Sequence, residues 1–176
     1  MTLNRKKNRQ LIIYIITMIA LVIIDQYTKI LALSYLKDKE PFIIVNNVFE
    51  LRYLENRGAA FGMMQNQKLL FIIIAAVMLF AVMYFLIKVP IEAKYKLLNL
   101  CMILIGAGAV GNLIDRVSRN YVVDFFYFSL IDFPIFNVAD IYVSVSCAVL
   151  IILILFIYKD NDFDFLKKNK AVNGKV

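Results

Sequence analysis

Histidine is absent from this chain, and the Ser-His-Asp, Cys-His and HExxH chemistries go with it. Two cysteines are too few for a CxxC…CxxC zinc site. Charge is scarce: 19% of the 176 residues are Asp, Glu, Lys or Arg, against about 25% in soluble domains. Meanwhile 62% are hydrophobic, above the ~45–50% usual for soluble proteins. A soluble fold of this length could not hide so much apolar surface, so a water-soluble enzyme or nucleic-acid binder is disfavoured. The net charge of +7 does not restore a nucleic-acid partner. Most of the positive charge flanks apolar runs, which is the pattern of membrane topology.

Four apolar runs stand out, at about 11–36, 69–87, 97–114 and 138–158. The first is interrupted by Asp25 and Lys29, the second holds 19 residues without a charge, and the fourth carries only Asp140 near its start. About 20 helical residues cross a bilayer core, and the alternation of barrel strands is missing. These runs predict an all-α integral membrane protein, a single membrane domain of four transmembrane helices spanning residues 1–176. Arg5, Lys6, Lys7 and Arg9 precede the first run as in a secretory signal. No small-residue cleavage site follows, so the run is read as a retained helix.

Orientation follows from lysine and arginine. The N-terminal tail holds four, the segment 88–96 three and the C-terminal tail five, whereas the longer loops 37–68 and 115–137 hold five and two. Both tails are therefore expected in the cytoplasm and both long loops outside. Cys101 and Cys147 would sit at different depths, too far apart for a disulfide, and are read as packing residues. In the first external loop, 42–45 and 48–53 are β-rich and flank Asn46-Asn47, which predicts a small external β-like hairpin. From Asp160 onward the chain is polar and charged, and it is expected to be poorly ordered.

An ionisable group inside a span is costly and is a functional candidate by default. Asp25 falls ~21 Å from the inner end of the first helix, in the outer half of the bilayer, with Lys29 one turn further out on the same face. Asn112, Asp115 and Arg116 close the third helix on the outer side. Asn137 and Asp140 open the fourth there, and Asp124 lies in the loop between them. Asn56-Arg57-Gly58-Ala59-Ala60-Phe61-Gly62 enters the second helix from the same side. The polar residues thus converge on one layer at the outer interface, and the inner half reads as nearly pure hydrocarbon.

Each piece also has a plain structural reading. Asp25 and Lys29 could be an interhelical strut; Asn112 and Arg116 could cap and snorkel. Gly106, Gly108 and Gly111 fit close helix packing. Phe125-Phe126-Tyr127-Phe128 fits an interfacial aromatic belt, and Asp115 and Asp132 fit ordinary loop carboxylates. Asp124 and Asp140 are harder to dismiss, because both sit in apolar surroundings and one re-entrant loop can bring them together. Two such carboxylates share a proton and can perform acid–base hydrolysis without histidine or metal. A small four-helix transporter, a non-catalytic membrane scaffold, and a Ser–Lys protease using Ser34 or Ser144 with Lys29 remain open on these grounds. The acids crowd the outer end rather than the midplane where transporters bind.

Five motifs carry a resemblance: Asp25-Gln26-Tyr27-Thr28-Lys29, Glu55-Asn56-Arg57-Gly58-Ala59-Ala60-Phe61-Gly62, Gly108-Ala109-Val110-Gly111-Asn112-Leu113-Ile114-Asp115-Arg116, Val122-Val123-Asp124-Phe125 and Phe136-Asn137-Val138-Ala139-Asp140. In this order, the sequence closely resembles the bacterial lipoprotein signal peptidases, or signal peptidase II family, over about 21–141. The resemblance implies an aspartic endopeptidase of the bacterial plasma membrane, multi-pass, with its active site at the outer leaflet. It would cleave diacylglyceryl-modified prolipoproteins just before the lipidated cysteine. By motif position Asp124 and Asp140 would be the catalytic dyad. Asn56, Gly58, Asn112, Arg116 and Asn137 would line the site, with Asp25 and Lys29 in support and the external hairpin as a cradle. Its partners would be lipid-modified prolipoproteins and membrane lipids, with no cofactor and no metal, and the enzyme would be a monomer.

The topology is open to direct measurement. Cysteines introduced at Asn4 and Ala93 are expected to label only from the cytoplasmic side, and one at Asp38 only from outside. Labelling of Ala93 from outside would overturn the four-span arrangement.

Overall fold

A computed structural model of the chain describes residues 2–58 and 67–167. Ala59-Ala60-Phe61-Gly62 of the second motif and the tail lysines Lys168, Lys170 and Lys175 lie outside the described residues. Among the described residues four helices are long and apolar enough to cross a membrane, and the chain is a membrane protein. They are α1 (Thr2–Tyr35), α2 (Lys68–Lys88), α3 (Lys96–Arg119) and α4 (Val138–Ile152), the last running into a π-helical turn at Leu153–Ile157. Against one end of the bundle packs a three-stranded antiparallel sheet of β1 (Phe42–Val45), β2 (Phe49–Asn56) and β3 (Val122–Tyr127), in the order β1-β2-β3. The fold class is therefore the one expected, with a third strand added to the hairpin.

α3 is the buried helix around which the others assemble, and its glycines explain how. A Cβ on Gly106 would meet the Met18 and Val82 side chains of α1 and α2. On Gly108 it would lie 2.5 Å from the Ala139 carbonyl oxygen of α4. On Gly111 it would collide with the Asp25 carboxylate of α1. Each glycine thus admits a different neighbour to backbone distance, as small residues do in membrane bundles.

α1 and α3 overrun their apolar runs, each at one end by several residues. α1 begins at Thr2, nine residues before the run, because Arg5, Lys6, Lys7 and Gln10 are good helix formers and nothing there breaks the helix. α3 continues to Arg119, where Asn120 takes a left-handed conformation (φ 66°) and stops it. Asp115 and Arg116 are therefore interior to α3, not at its end.

Four expectations need correcting. The end of the bundle away from the sheet is not pure hydrocarbon: Gln10 and Asn99 both donate to the Tyr14 hydroxyl, the latter at 2.6 Å, and Lys7 donates to the Val89 carbonyl. The described part of the tail is structured: Asp160–Leu166 forms a 3-10 helix that folds back on the bundle. Phe165 packs edge-on against Phe85 and Tyr95, Tyr95 stacks on Tyr158, and Lys94 pairs with Asp162 at 2.5 Å. Composition suggested disorder because the charges of that segment conceal Phe163 and Phe165. Nor is 125–128 simply an interfacial belt. Phe125 is buried with Ala32, Leu36 and Val123, and Phe126 packs between Phe49 and Phe136, so these rings seat the sheet on α1. Cys101 and Cys147 are unbonded; Cys101 is buried, but Cys147 is exposed on α4 and packs little.

Candidate active site

Asp124 is placed by sheet geometry. β3 pairs with β2 so that Asn56 opposes Val122 and Leu54 opposes Asp124, which makes Asn56 and Asp124 diagonal neighbours on one face. An irregularity in β2 between Leu51 and Leu54 sets this register. The other edge of β3 is met by Phe136, whose backbone exchanges hydrogen bonds with Phe126 at 2.8 and 3.0 Å. That bridge delivers the next residue, Asn137, beside Asp124. Asn137 is the N-cap of α4 and Asp140 its third residue, and the two form a reciprocal capping box. A motif that commonly starts a helix thereby holds one carboxylate next to another.

The hydrogen bonds between them leave little freedom. Asp124 accepts from Asn56 Nδ2 at 2.8 Å and from Asn137 Nδ2 at 2.6 Å. Asp140 accepts from Asn112 Nδ2 at 2.8 Å and from the Asn137 backbone N–H at 3.1 Å. All four carboxylate oxygens have partners, and Asn137 touches both acids. Asp124 is 1% exposed. Burial, and then the neighbouring charge of Asp140, push its pKa up to about 7, against the opposing hydrogen bonds from Asn56 and Asn137.

Beneath the pair lies a wholly buried ionic cluster. The Lys29 ammonium contacts Asp25 and Asp115, each at 3.0 Å, and donates to Asn112 Oδ1 at 2.8 Å. Asp25 also accepts from the Ala139 N–H at 2.9 Å, which ties α1 to the start of α4. Asp115 pairs with Arg119 and accepts from the Val123 N–H at 3.2 Å, which ties α3 to β3. On the other side, Arg116 donates to the Gly58 carbonyl at 3.2 Å and lies 4.5 Å from the Phe71 ring centre of α2. The Gly58 N–H donates to Asn56 Oδ1 at 2.9 Å. A groove of about 220 Å³ runs from Asn112, Arg116 and Asp140 along the apolar faces of α2, α3 and α4.

The structure thus brings together every residue singled out for the site: Asp124, Asp140, Asn56, Gly58, Asn112, Arg116, Asn137, Asp25 and Lys29. Asp115, which by sequence fits a loop carboxylate, is fully buried on α3 and shares Lys29. Four residues beyond Gly111, it lies on the helical face that meets Asp25, a signal obscured by ending the span at 114. Gln26, overlooked as well, donates to the Gly111 carbonyl at 3.0 Å and to Asp25 at 3.2 Å. Asp132 lies apart from the cluster and accepts from the Tyr127 hydroxyl at 2.5 Å. The Ser–Lys reading fails on geometry: Ser34 is exposed and bonded to the Ile30 carbonyl, Ser144 is exposed, and all three Lys29 N–H bonds are engaged.

The family model for Signal peptidase (SPase) II matches residues 17–156. The lipoprotein signal peptidase of Clostridioides difficile (strain 630) is 45% identical over 144 residues, covering 82% of this chain and 95% of the relative. That of Caldanaerobacter subterraneus subsp. tengcongensis is 45% identical over 136 residues, covering 77% and 90%. A solved bacterial membrane enzyme, determined by the in meso method at 2.3 Å resolution, superposes with a TM-score of 0.71 at 34% identity. The match covers 91% of this chain and 94% of that one.

Asp115→Asn keeps an acceptor for the Val123 N–H but removes the charge facing Lys29 and Arg119. Charge-assisted bonds of this kind contribute about 1.5–3 kcal/mol, so thermal unfolding in detergent should show a stability loss of about 2 kcal/mol. A stability equal to wild type would show that the cluster is not held as described.

Proposed function

The chain belongs to the signal peptidase II family and removes signal peptides from prolipoproteins, and on that premise we propose that it is an aspartic endopeptidase with Asp124 and Asp140 as its catalytic pair. The observation that carries this reading is the bridge between them: one asparagine, Asn137, bonded to both carboxyls. The pair divides the work. Asp124, with its proton held tightly by burial, is the general acid. Asp140 is the general base, since both its oxygens accept hydrogen bonds at the amino end of α4, where helix geometry favours negative charge.

In the forward step Asp140 takes a proton from water as the water oxygen bonds to the scissile carbonyl carbon. Asp124 gives its proton to the carbonyl oxygen. As the intermediate collapses, the C–N bond breaks, Asp140 returns a proton to the leaving amine, and Asp124 recovers its own. The amide and guanidinium donors of Asn112 and Arg116 lie at the polar end of the groove, suited to carbonyls of an extended segment. The apolar remainder of the groove suits an acyl chain. A diacylglyceryl group on the substrate cysteine, held at headgroup depth, would fix the bond before that cysteine over the pair and reduce the entropic cost of positioning.

The same reading assigns one membrane domain in a bacterial plasma membrane, with both termini cytoplasmic and the sheet end at the outer leaflet. The lysine and arginine distribution supports that orientation. One chain supplies both acids and all three asparagines, which supports action as a monomer.

Asp124→Asn and Asp140→Asn preserve shape, so each variant should insert and bind lipidated precursor peptide while turnover falls by at least about 10³-fold. The double variant should be hardly slower, because the acids act as one unit. Asp132→Asn should be nearly silent. A few per cent of residual turnover in either single variant would sink the aspartyl mechanism.

The pH profile gives an independent check. A general acid works only while protonated, so kcat/KM should fall as pH rises through about 7, the value to which Asp124 is pushed. A rate that stays flat to pH 9 would contradict the assignment.

A further inference from the structure

The three asparagines of the site share one device. An asparagine amide presents oxygen at one end and NH2 at the other, and it reverses unless a neighbour selects the end. Asn56 Oδ1 faces the Gly58 N–H, which can only donate. Asn137 Oδ1 faces the Asp140 N–H, which can only donate. Asn112 Oδ1 faces the Lys29 ammonium at 2.8 Å, which can only donate. Each amide is thereby forced to turn its NH2 onto a carboxylate. Two of the three are pinned by backbone that no side-chain substitution removes. The third is pinned chiefly by a side chain buried at 0% exposure, on a helix that carries neither acid of the pair, with a longer bond from Asn137 Nδ2 at 3.2 Å beside it.

We infer that Lys29 is a positioning residue for Asp140, acting through Asn112: the ammonium holds the amide oxygen and so aims the amide NH2 at Asp140 Oδ1. The inference rests on the reading of Asp124 and Asp140 as the reacting pair. Lys29 has three N–H bonds and three acceptors, so it is itself fixed in direction by Asp25 and Asp115. The charged and titratable groups around this line are Asp25 on α1; Asp115, Arg116 and Arg119 on α3; Asp124 on β3; and Asp140 and Tyr142 on α4. Without the ammonium Asn112 Oδ1 keeps only the longer bond from Asn137 Nδ2, 3.2 Å, so the amide is held less firmly against Asp140, which also loses a nearby positive charge. The acid side of the pH–rate profile should then shift upward.

Lys29→Met alone leaves buried carboxylates uncompensated and is a poor probe. Asp25→Asn/Lys29→Met removes one charge of each sign, leaves Asp115 with Arg119, and keeps an acceptor for the Ala139 N–H. Its control is Asp25→Asn alone, in which Lys29 retains Asp115 and Asn112. Full pH profiles of kcat/KM on a lipidated precursor peptide would be measured for both, and for Asn112→Ser, which leaves the ionic cluster intact. The double variant and Asn112→Ser should each move the acid limb up by about one pH unit, the scale of losing one nearby opposite charge or donor. Asp25→Asn should leave the limb in place, and the triple variant should move it no further than the double, because Lys29 acts through Asn112. A purely structural lysine would lower the amplitude and thermal stability without moving the limb, and that result would overturn the inference. So would an unmoved limb in Asn112→Ser, or shifts that add. Failure of the underlying reading looks different: Asp124→Asn or Asp140→Asn would then remain active, whatever the limb does.

Discussion

One buried ammonium organises this protein. Taking a lysine out of water costs several kcal/mol, and the cost is offset only when every N–H bond finds an acceptor of suitable charge. Lys29 meets that demand with two carboxylates and an amide oxygen, drawn from two helices. Asp25 and Asp115 in turn carry the order outward, one to the backbone that starts α4 and the other to the backbone of β3. With Arg119 included, the cluster holds two charges of each sign, which makes it tolerable in a low-dielectric interior. Gly111 belongs to the same arrangement, since the Asp25 carboxylate occupies the space that any larger residue would fill. Loss of this centre would disturb the entry of α4, the seating of β3 and the amide that faces Asp140 together.

Much of this was legible from residue order alone, for a physical reason. A bilayer makes each misplaced charge expensive, so Asp25, Lys29 and Asp140 stand out against apolar runs in a way they would not in a soluble chain. The hairpin at 42–53 was visible in its β-rich runs and its Asn46-Asn47 turn. Less legible were features that depend on partners distant in sequence. The spacing of Asp115 from Gly111 hints at its face, but only the path of α1 past α3 shows which groups it meets. The third strand was hinted at by the apolar run around Asp124, but its pairing with β2 and its bridge to Phe136 are tertiary facts. At the far end of the bundle, Asn99 and Tyr14 find each other across 85 residues, which no spacing rule reveals. The ordering of Asp160–Leu166 was missed because charge at the surface of a segment says little about rings beneath it.

The capping box at the start of α4 shows how ordinary local chemistry becomes specialised. In a soluble helix the third-residue carboxylate simply accepts the cap N–H. Here Asp140 does so through Oδ2 and keeps Oδ1 for Asn112, while the cap side chain, Asn137, reaches beyond its own helix to Asp124. Helix initiation and assembly of the pair are therefore one event. A chain whose α4 had not begun correctly would also lack the proposed pair.

The groove that ends at Asp140 runs along membrane-crossing helices, and its walls include exposed residues such as Ile74 and Ser144. On the proposed reading, a lipid-anchored substrate would approach such an opening sideways, by diffusion in two dimensions. Its effective concentration is then a number of molecules per unit area, not per unit volume. Turnover should follow the crowding of precursors in the lipid plane, and dispersing them into more detergent should slow the enzyme even when the bulk concentrations of both partners are unchanged.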